Sequence, residues 1–331
     1  MSLYIFNEQV RSTATELVDQ DVQKFNAASA GTLILGNGFV IGDYVEQAMW
    51  QLTNNIAQRR NAYGGTTAVN AQTLGQILDR SVKIDGRVGP INITSTMFRR
   101  IGAGEAEPAA VVAAQASAAM FQDYLNTTAA CLVAAIGGNA DLVNDITAGT
   151  GRANTITMQA LNVSNSKMGD RSNQIRAYIM HSTPFHALVD QAINNVEQLF
   201  QIGDLTVYSD FLGRRFVVSD IPSLENIGTG NAVESYNTLC LVPGAAVVQV
   251  GGLYDMVTTE HTGGENIMRQ MQGEYDFHAS IKGYAWAGQK TGQSPTDAEL
   301  ATAANWSKVA TSNKDTAGVL LKSKADFAAI K

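Results

Sequence analysis

The sequence predicts a mixed helix-and-sheet protein of the α+β class, and three stretches carry that prediction. Residues 108–136 form one long helix-competent run: after Pro108 no Gly or Pro appears until Gly137-Gly138. Residues 273–288, GEYDFHASIKGYAWAG, alternate apolar and polar side chains like one very long strand. The stretch between them mixes helical and strand patterns, as an α/β unit does.

With 331 residues, the chain can form two domain-sized units or one large composite. Its composition is 45% hydrophobic but only 7% aromatic, with 30 glycines, which points to a core of small side chains. A net charge of −7 argues against a nucleic-acid binder, which would carry a basic face, and against docking on anionic membranes. No apolar run approaches the ~20 residues of a membrane helix. MSLYIFNEQV lacks the basic flank of a signal peptide, so folding in a cytoplasm is expected. Cys131 and Cys240 lie far apart in apolar surroundings and are expected to be buried free thiols.

In chain order, residues 1–31 are polar with scattered apolar positions and are expected to form a poorly packed arm that orders against a neighbour. TLILGNGFVIG, residues 32–42, predicts a strand and a Gly turn. Tyr44, Val45, Ala48, Met49 and Leu52 follow at helical spacing, which predicts a helix capped by Asp43 and running to about Arg60. LGQILDR suggests a short helix. SVKIDGRVGPINIT alternates, with Val82, Ile84 and Val88 on one face and Lys83, Asp85 and Arg87 on the other. Breaks at Gly86 and Gly89-Pro90 suggest a marginal two-stranded ribbon that must lie on something else.

The long helix has Glu105 and Glu107 at its positive end and about 29 residues, or ~43 Å. Its expected apolar stripe is Val111, Ala114, Ala118, Phe121, Leu125, Leu132 and Ile136. Further on, RAYIM predicts a strand, and Thr183-Pro184 predicts the start of a helix whose apolar face holds Phe185, Leu188, Val189, Ala192, Val196 and Leu199. DLTVYSD, GRRFVVSDIP, NTLCLVPG, AAVVQVGG and finally GVLLKS predict strands.

Signatures of catalysis are scarce. Gly36-Asn37-Gly38 and Gly42, after an apolar strand, resemble a dinucleotide fingerprint. Ile41, however, stands where the third Gly belongs, and the distant acidic residue is missing. An α/β enzyme binding a nucleotide cofactor at the Gly36–Gly42 turn is thus only the alternative reading. His181 and His186 are five apart, not four, and His261 and His278 lack ligand-type neighbours, so no metal is expected. Asp141 and Asp145 lie in loop sequence, and no catalytic residue or cofactor is assigned. The pairs Arg59-Arg60, Arg99-Arg100 and Arg214-Arg215 suit either a solvated face or ion pairing between subunits.

Four segments then bring a resemblance into view. VKIDGRVGPINITSTMFRRIG, QIRAYIMHSTPFHALVDQAI, FLGRRFVVSDIP and DFHASIKGYAWAG, in this order, resemble segments of tailed-bacteriophage major capsid proteins with the Hong Kong 97-type capsid fold. The similarity spans roughly residues 30–310, and the ordered set rather than any one motif carries it.

The resemblance implies an N-terminal arm over 1–31. It implies a peripheral domain from 32–60, 101–140 and 262–331, with its spine helix at 108–136. An extended loop at 61–100 would lie across an adjacent subunit, and an axial domain would cover 141–261. Deletion of 64–95 is then expected to leave a folded subunit that cannot form closed shells. The implied function is self-assembly as pentamers and hexamers into an icosahedral head around double-stranded DNA, a role that an acidic wall suits. A cellular nanocompartment shell of the same fold is a second alternative. Implied partners are further copies of the chain, a portal, possible decoration proteins and a separate scaffolding protein, since thirty residues is short for a built-in scaffold. The candidate inter-subunit contacts are Arg59, Arg60, Lys83, Asp85, Arg87, Arg99 and Arg100.

Overall fold

A computed structural model describes residues 3–38, 42–50, 57, 59–65, 68, 71, 73–94, 106–194, 207–209, 214–228, 232–288 and 294–324. The chain opens with helix α1 (Leu3–Ala28), strand β1 (Leu33–Asn37), β2 (Tyr44–Trp50), β3 (Gln76–Thr94) and helix α2 (Ala106–Gly137). The middle holds β4 (Val143–Asp145), α3 (Met158–Ser166), β5 (Ala177–Met180), α4 (Ser182–Asn194), β6 (Val207–Ser209), β7 (Arg215–Val218), β8 (Glu225–Ile227) and β9 (Val233–Leu241). Then come β10 (Ala246–His261), β11 (Met268–Ile281), β12 (Tyr284–Trp286), α5 (Asp297–Leu300), β13 (Trp306–Lys308) and β14 (Gly318–Ser323).

Among the described residues the strands form two sheets of seven. The first runs β1-β10-β11-β12-β13, with β3 on β11 and β2 on β3; the second runs β4-β14-β9-β5-β7-β6, with β8 on β9. Helix α2 borders both sheets. One hydrophobic core continues from Leu35 and Phe277, past Leu132 and Ile136, to Leu239 and Leu320. No helix among the described residues is long and apolar enough to cross a membrane.

The N-terminal segment departs from expectation. It is a 26-residue helix, not a loose arm. Val10, Ala14, Val18 and Val22 recur every four residues and are buried against α2 and the first sheet. Each buried valine contributes about 1.5–3 kcal/mol, enough to hold a polar helix down by one narrow stripe. At the helix end, the Asn26 carboxamide brackets the Leu35 backbone, donating to its carbonyl at 2.6 Å and accepting from its N–H at 2.9 Å.

The helix expected over 43–60 is replaced, within the described residues, by strand β2. Tyr44, Val45 and Trp50 favour strands, and β2 pairs antiparallel with β3 from Tyr44↔Val82 to Trp50↔Gln76. A cross-strand ion pair, Arg80 to Glu46 at 2.6 Å, fixes the register, and the Arg80 guanidinium lies 5.0 Å over the Tyr44 ring. The same ladder takes LGQILDR, expected as a short helix, into β3.

Strand β3 continues through both expected breaks. At Gly86 the Tyr275 ring lies over the backbone, and any Cβ would overlap it. Gly89 (φ +89°) and Pro90 together oppose Gln272, a bulge that leaves the proline, which has no N–H, out of the ladder. Val82 and Ile84 face the core as expected, and Val88 packs against it. Residues 82–94 are therefore part of the main sheet through β11, and deletion of 64–95 would remove a core strand. The expected projecting ribbon is instead β2 with the first third of β3.

The long helix is where the sequence places it, but its faces are shifted. Val112, Ala113, Ala116, Met120 and Tyr124 are buried, whereas Val111, Ala114 and Ala118 of the expected stripe are exposed. In so Ala-rich a segment several faces are apolar, and the position of α1 selects one. Leu132 and Ile136 are buried as expected, with Cys131, Ala134 and Ala135 beside them, because the last turns reach both sheets.

Two sheet memberships also differ from the expected domain ranges. Strand β10, expected in the axial unit, pairs with β1 and β11, and β14, expected in the peripheral unit, pairs with β9 and β4. The turn at Pro243-Gly244 moves the chain from one sheet to the other. The stretch 273–288 is divided at Gly283 (φ +79°) into the end of β11 and the short β12. Helix α4 starts one residue before the expected Thr183 cap. His181 Nδ1 accepts from the Thr183 N–H at 3.2 Å, and Ser182 N–H donates to Asp220 at 3.0 Å.

Candidate subunit-contact surfaces

Lys83, Asp85 and Arg87 alternate along β3 with the buried Val82 and Ile84, so they share the opposite face of the first sheet. The register sets them beside β11 as Lys83↔His278, Asp85↔Asp276 and Arg87↔Glu274. Lys83 is engaged within the chain, its Nζ 2.6 Å from Asp276 Oδ2. Asp276 is buried; its side chain lies over Gly251, where a Cβ would collide with it. His278 is also buried, its Nε2 without a hydrogen-bond partner, and burial holds its imidazole below the ordinary value of 6.5. Asp85 and Arg87 are exposed, and the Asp85 N–H donates to Ser294 Oγ at 3.0 Å.

Arg59 and Arg60 are exposed in the segment joining β2 to β3. Arg99 and Arg100 lie outside the described residues. The structure thus brings Lys83, Asp85 and Arg87 together on one face, while Arg59 and Arg60 belong to the segment between β2 and β3. Arg214 donates to Tyr178 Oη at 2.7 Å, a role within the second sheet.

The ribbon carries residues that sequence reasoning missed. Trp50 is 67% exposed, Leu78 47% and Leu74 55%, and Tyr63 in the connecting segment is fully exposed. Ala48 pairs with Leu78 and Trp50 with Gln76, so Ala48, Trp50 and Leu78 form one apolar face. Large apolar side chains displayed together mark a partner surface. The available signal was the β-favouring run from Tyr44 to Trp50, which a helical reading obscured.

On the inner side, α2 and β11 meet through aromatic packing and one half-buried acid. Tyr124 lies edge-on to Phe277 at 4.9 Å and to Tyr275 at 5.8 Å. The Tyr275 hydroxyl donates to Asp123 Oδ2 at 2.7 Å. Burial raises the Asp123 carboxyl above its ordinary range, and the tyrosine bond opposes that rise. Burial likewise pushes the Cys240 thiol up to about 12 and raises that of Cys131, so both cysteines are buried, inert thiols as expected. Among the described residues no cluster of His, Cys, Asp or Glu could hold a metal ion. The Gly36–Gly42 turn leads from β1 to strand β2, so the helix N-terminus that a dinucleotide site requires does not follow it.

The fold has solved counterparts. The capsid asymmetric unit of cyanophage Pam1 superposes with a TM-score of 0.52 over 90% of this chain and 92% of that one, at 10% identity. A chain of Mycobacterium phage Cain gives 0.54 over 91% and 90%, also at 10% identity. One of Mycobacterium phage Adephagia gives 0.52 over 90% of each, at 11% identity. Likeness at such identity establishes the Hong Kong 97-type capsid fold and nothing finer. No curated protein matches the chain in sequence. A family model described as major capsid protein 13-like matches residues 2–320. With that match over nearly the whole sequence, the chain belongs to the major capsid protein 13-like family, the structural proteins of the phage head and virion.

Proposed function

We propose that this capsid protein assembles as pentamers and hexamers into a closed icosahedral head that encloses double-stranded DNA, and that it works by binding its own copies and catalyses nothing. The observation that carries the reading is the β2–β3 ribbon. Its seven residue pairs extend ~24 Å and display Trp50 and Leu78 to solvent, while both sheets share a continuous core. A chain with such a core has no internal use for a two-stranded apolar extension; a neighbouring copy does.

In this reading the first sheet with α1 and α2 is the peripheral unit, and the second sheet is the axial unit that meets its copies at the five- and six-fold centres. The ribbon and its connecting segment are the extended loop. Arg59 and Arg60 would meet carboxylates of the next subunit, as would Arg87 and the undescribed Arg99 and Arg100, while Asp85 would meet cations. Each contact is weak, and closure makes the whole stable because departure breaks many contacts at once. The net charge of −7 supports a wall that does not trap the enclosed polyanion. Portal, scaffolding and decoration proteins belong to the same proposal as partners.

Electron microscopy of the purified, overexpressed chain tests the reading. Replacing residues 51–75 by a tight turn should leave a folded subunit that forms no closed shells. Normal particles from that variant would overturn the role given to the segment that joins the ribbon's two strands.

A further inference from the structure

We infer that a cleft at the junction of the two sheets, flanked by Arg176 and Lys282, is a receptor for a carboxylate of a second copy of this chain; the inference rests on the assembly reading above. The cleft measures about 360 Å³ and is lined by Asn173, Gln174, Arg176, Pro243 and Lys282. Every polar side chain in that lining can donate: a guanidinium, an ammonium and two carboxamides. Among the described residues no carboxylate lines it, in a chain where 30 acidic residues outnumber 23 basic ones.

Many cations elsewhere on the described surface are already engaged, although Arg59, Arg60 and Arg87 are exposed as well. Arg80, Lys83, Arg171, Arg269 and Lys314 are in ion pairs with Glu46, Asp276, Asp315, Glu260 and Asp170. Arg11, Lys167 and Arg214 are used in hydrogen bonds. Arg176 and Lys282 are exposed, and among the described residues neither side chain has a bonded partner. Their backbones are nonetheless held: Arg176 N–H donates to Leu241 and Lys282 N–H to Ala245, each at 3.0 Å. Two unpaired cations thus stand on fixed backbone in one cleft.

The chemistry favours a carboxylate over nucleic-acid phosphate. A nucleic-acid groove tracks a line of phosphates with a line of cations, whereas this lining ends after two. A guanidinium beside amide donors matches the two oxygens of one carboxylate, and an acidic chain has carboxylates in surplus.

The test is the double reversal Arg176→Glu/Lys282→Glu in the full chain, read by sedimentation velocity and electron microscopy. The concentration at which particles appear should rise at least ~10-fold, because a contact repeated in every subunit is amplified by closure. The melting temperature of unassembled subunits should stay unchanged. The conservative pair Arg176→Lys/Lys282→Arg should assemble like wild type. If the reversed chain melts lower, Arg176→Gln/Lys282→Gln, which adds no charge, is read in the same assay. Particles at the wild-type concentration would overturn the assignment. So would normal particles that fail to retain DNA, since the anion would then be phosphate. A wild-type chain that never forms particles would overturn the assembly reading itself, and the cleft assignment would fall with it.

Discussion

The second sheet and the β2–β3 ribbon treat the same kinds of side chain in opposite ways. In the sheet, Phe216 is fully buried, stacked on Tyr178 at 5.1 Å, and Leu239, Leu241, Val319 and Leu320 are buried in the same core. In the ribbon, Trp50 and Leu78 meet solvent. The first arrangement stabilises the subunit whether or not it has neighbours. The second contributes almost nothing until something covers it. On the proposed reading, the protein separates folding from assembly in space, so that one body serves several environments while its edges do the joining.

The hardest blow to the self-sufficient half is Phe216→Ala. It should cost the unassembled subunit about 3–5 kcal/mol, measured by denaturant unfolding; a loss below ~1 kcal/mol would show that the sheet is not the stabilising half. Next comes Tyr275→Phe, which takes one hydrogen-bond donor away from the half-buried Asp123. The expected cost is about 1–3 kcal/mol, with the Asp123 carboxyl titrating higher still in a titration followed by NMR.

A pH series separates a smaller effect. Burial holds His278 below its ordinary value of 6.5, so on acidification the unfolded chain takes up that proton first. The stability contributed by the neutral ring is present above pH 6.5 and is lost as pH falls from there through the folded-state value. The raised carboxylates of Asp79 and Asp123 act with the opposite sign above their ordinary 3.8, so the comparison with His278→Gln isolates the ring. Wild type should lose more stability than the variant between pH ~7 and ~5.5; equal slopes would remove His278 from the account.

The smallest expected effect on stability is the most telling for assembly. Trp50→Ala/Leu78→Ala should change unfolding of the subunit by less than ~1 kcal/mol while suppressing particles. If stability and assembly fall together, the ribbon face is folded back on its own subunit and the contrast collapses.

Much of the fold was legible in the residues. The run after Pro108 marked the long helix because nothing in it breaks a helix. Alternation located Tyr275, Phe277, Ala279 and Ile281, all of which are buried. Of the candidate contacts, Lys83, Asp85 and Arg87 were correctly grouped on one strand face. That Lys83 already has a partner could not be read, because Asp276 lies almost two hundred residues further on.

The sequence by itself determined the long helix, the alternating strand, the inert cysteines and the order of elements, since propensity, breakers and period act over a few neighbouring residues. Tertiary structure alone decided that Tyr44–Trp50 is a strand, that α1 lies on α2, which face of α2 is buried, and where β10 and β14 pair. The reason is physical. An Ala-rich helix or a short mixed segment has several conformations or faces of nearly equal local energy, and only burial against a distant part of the chain chooses among them.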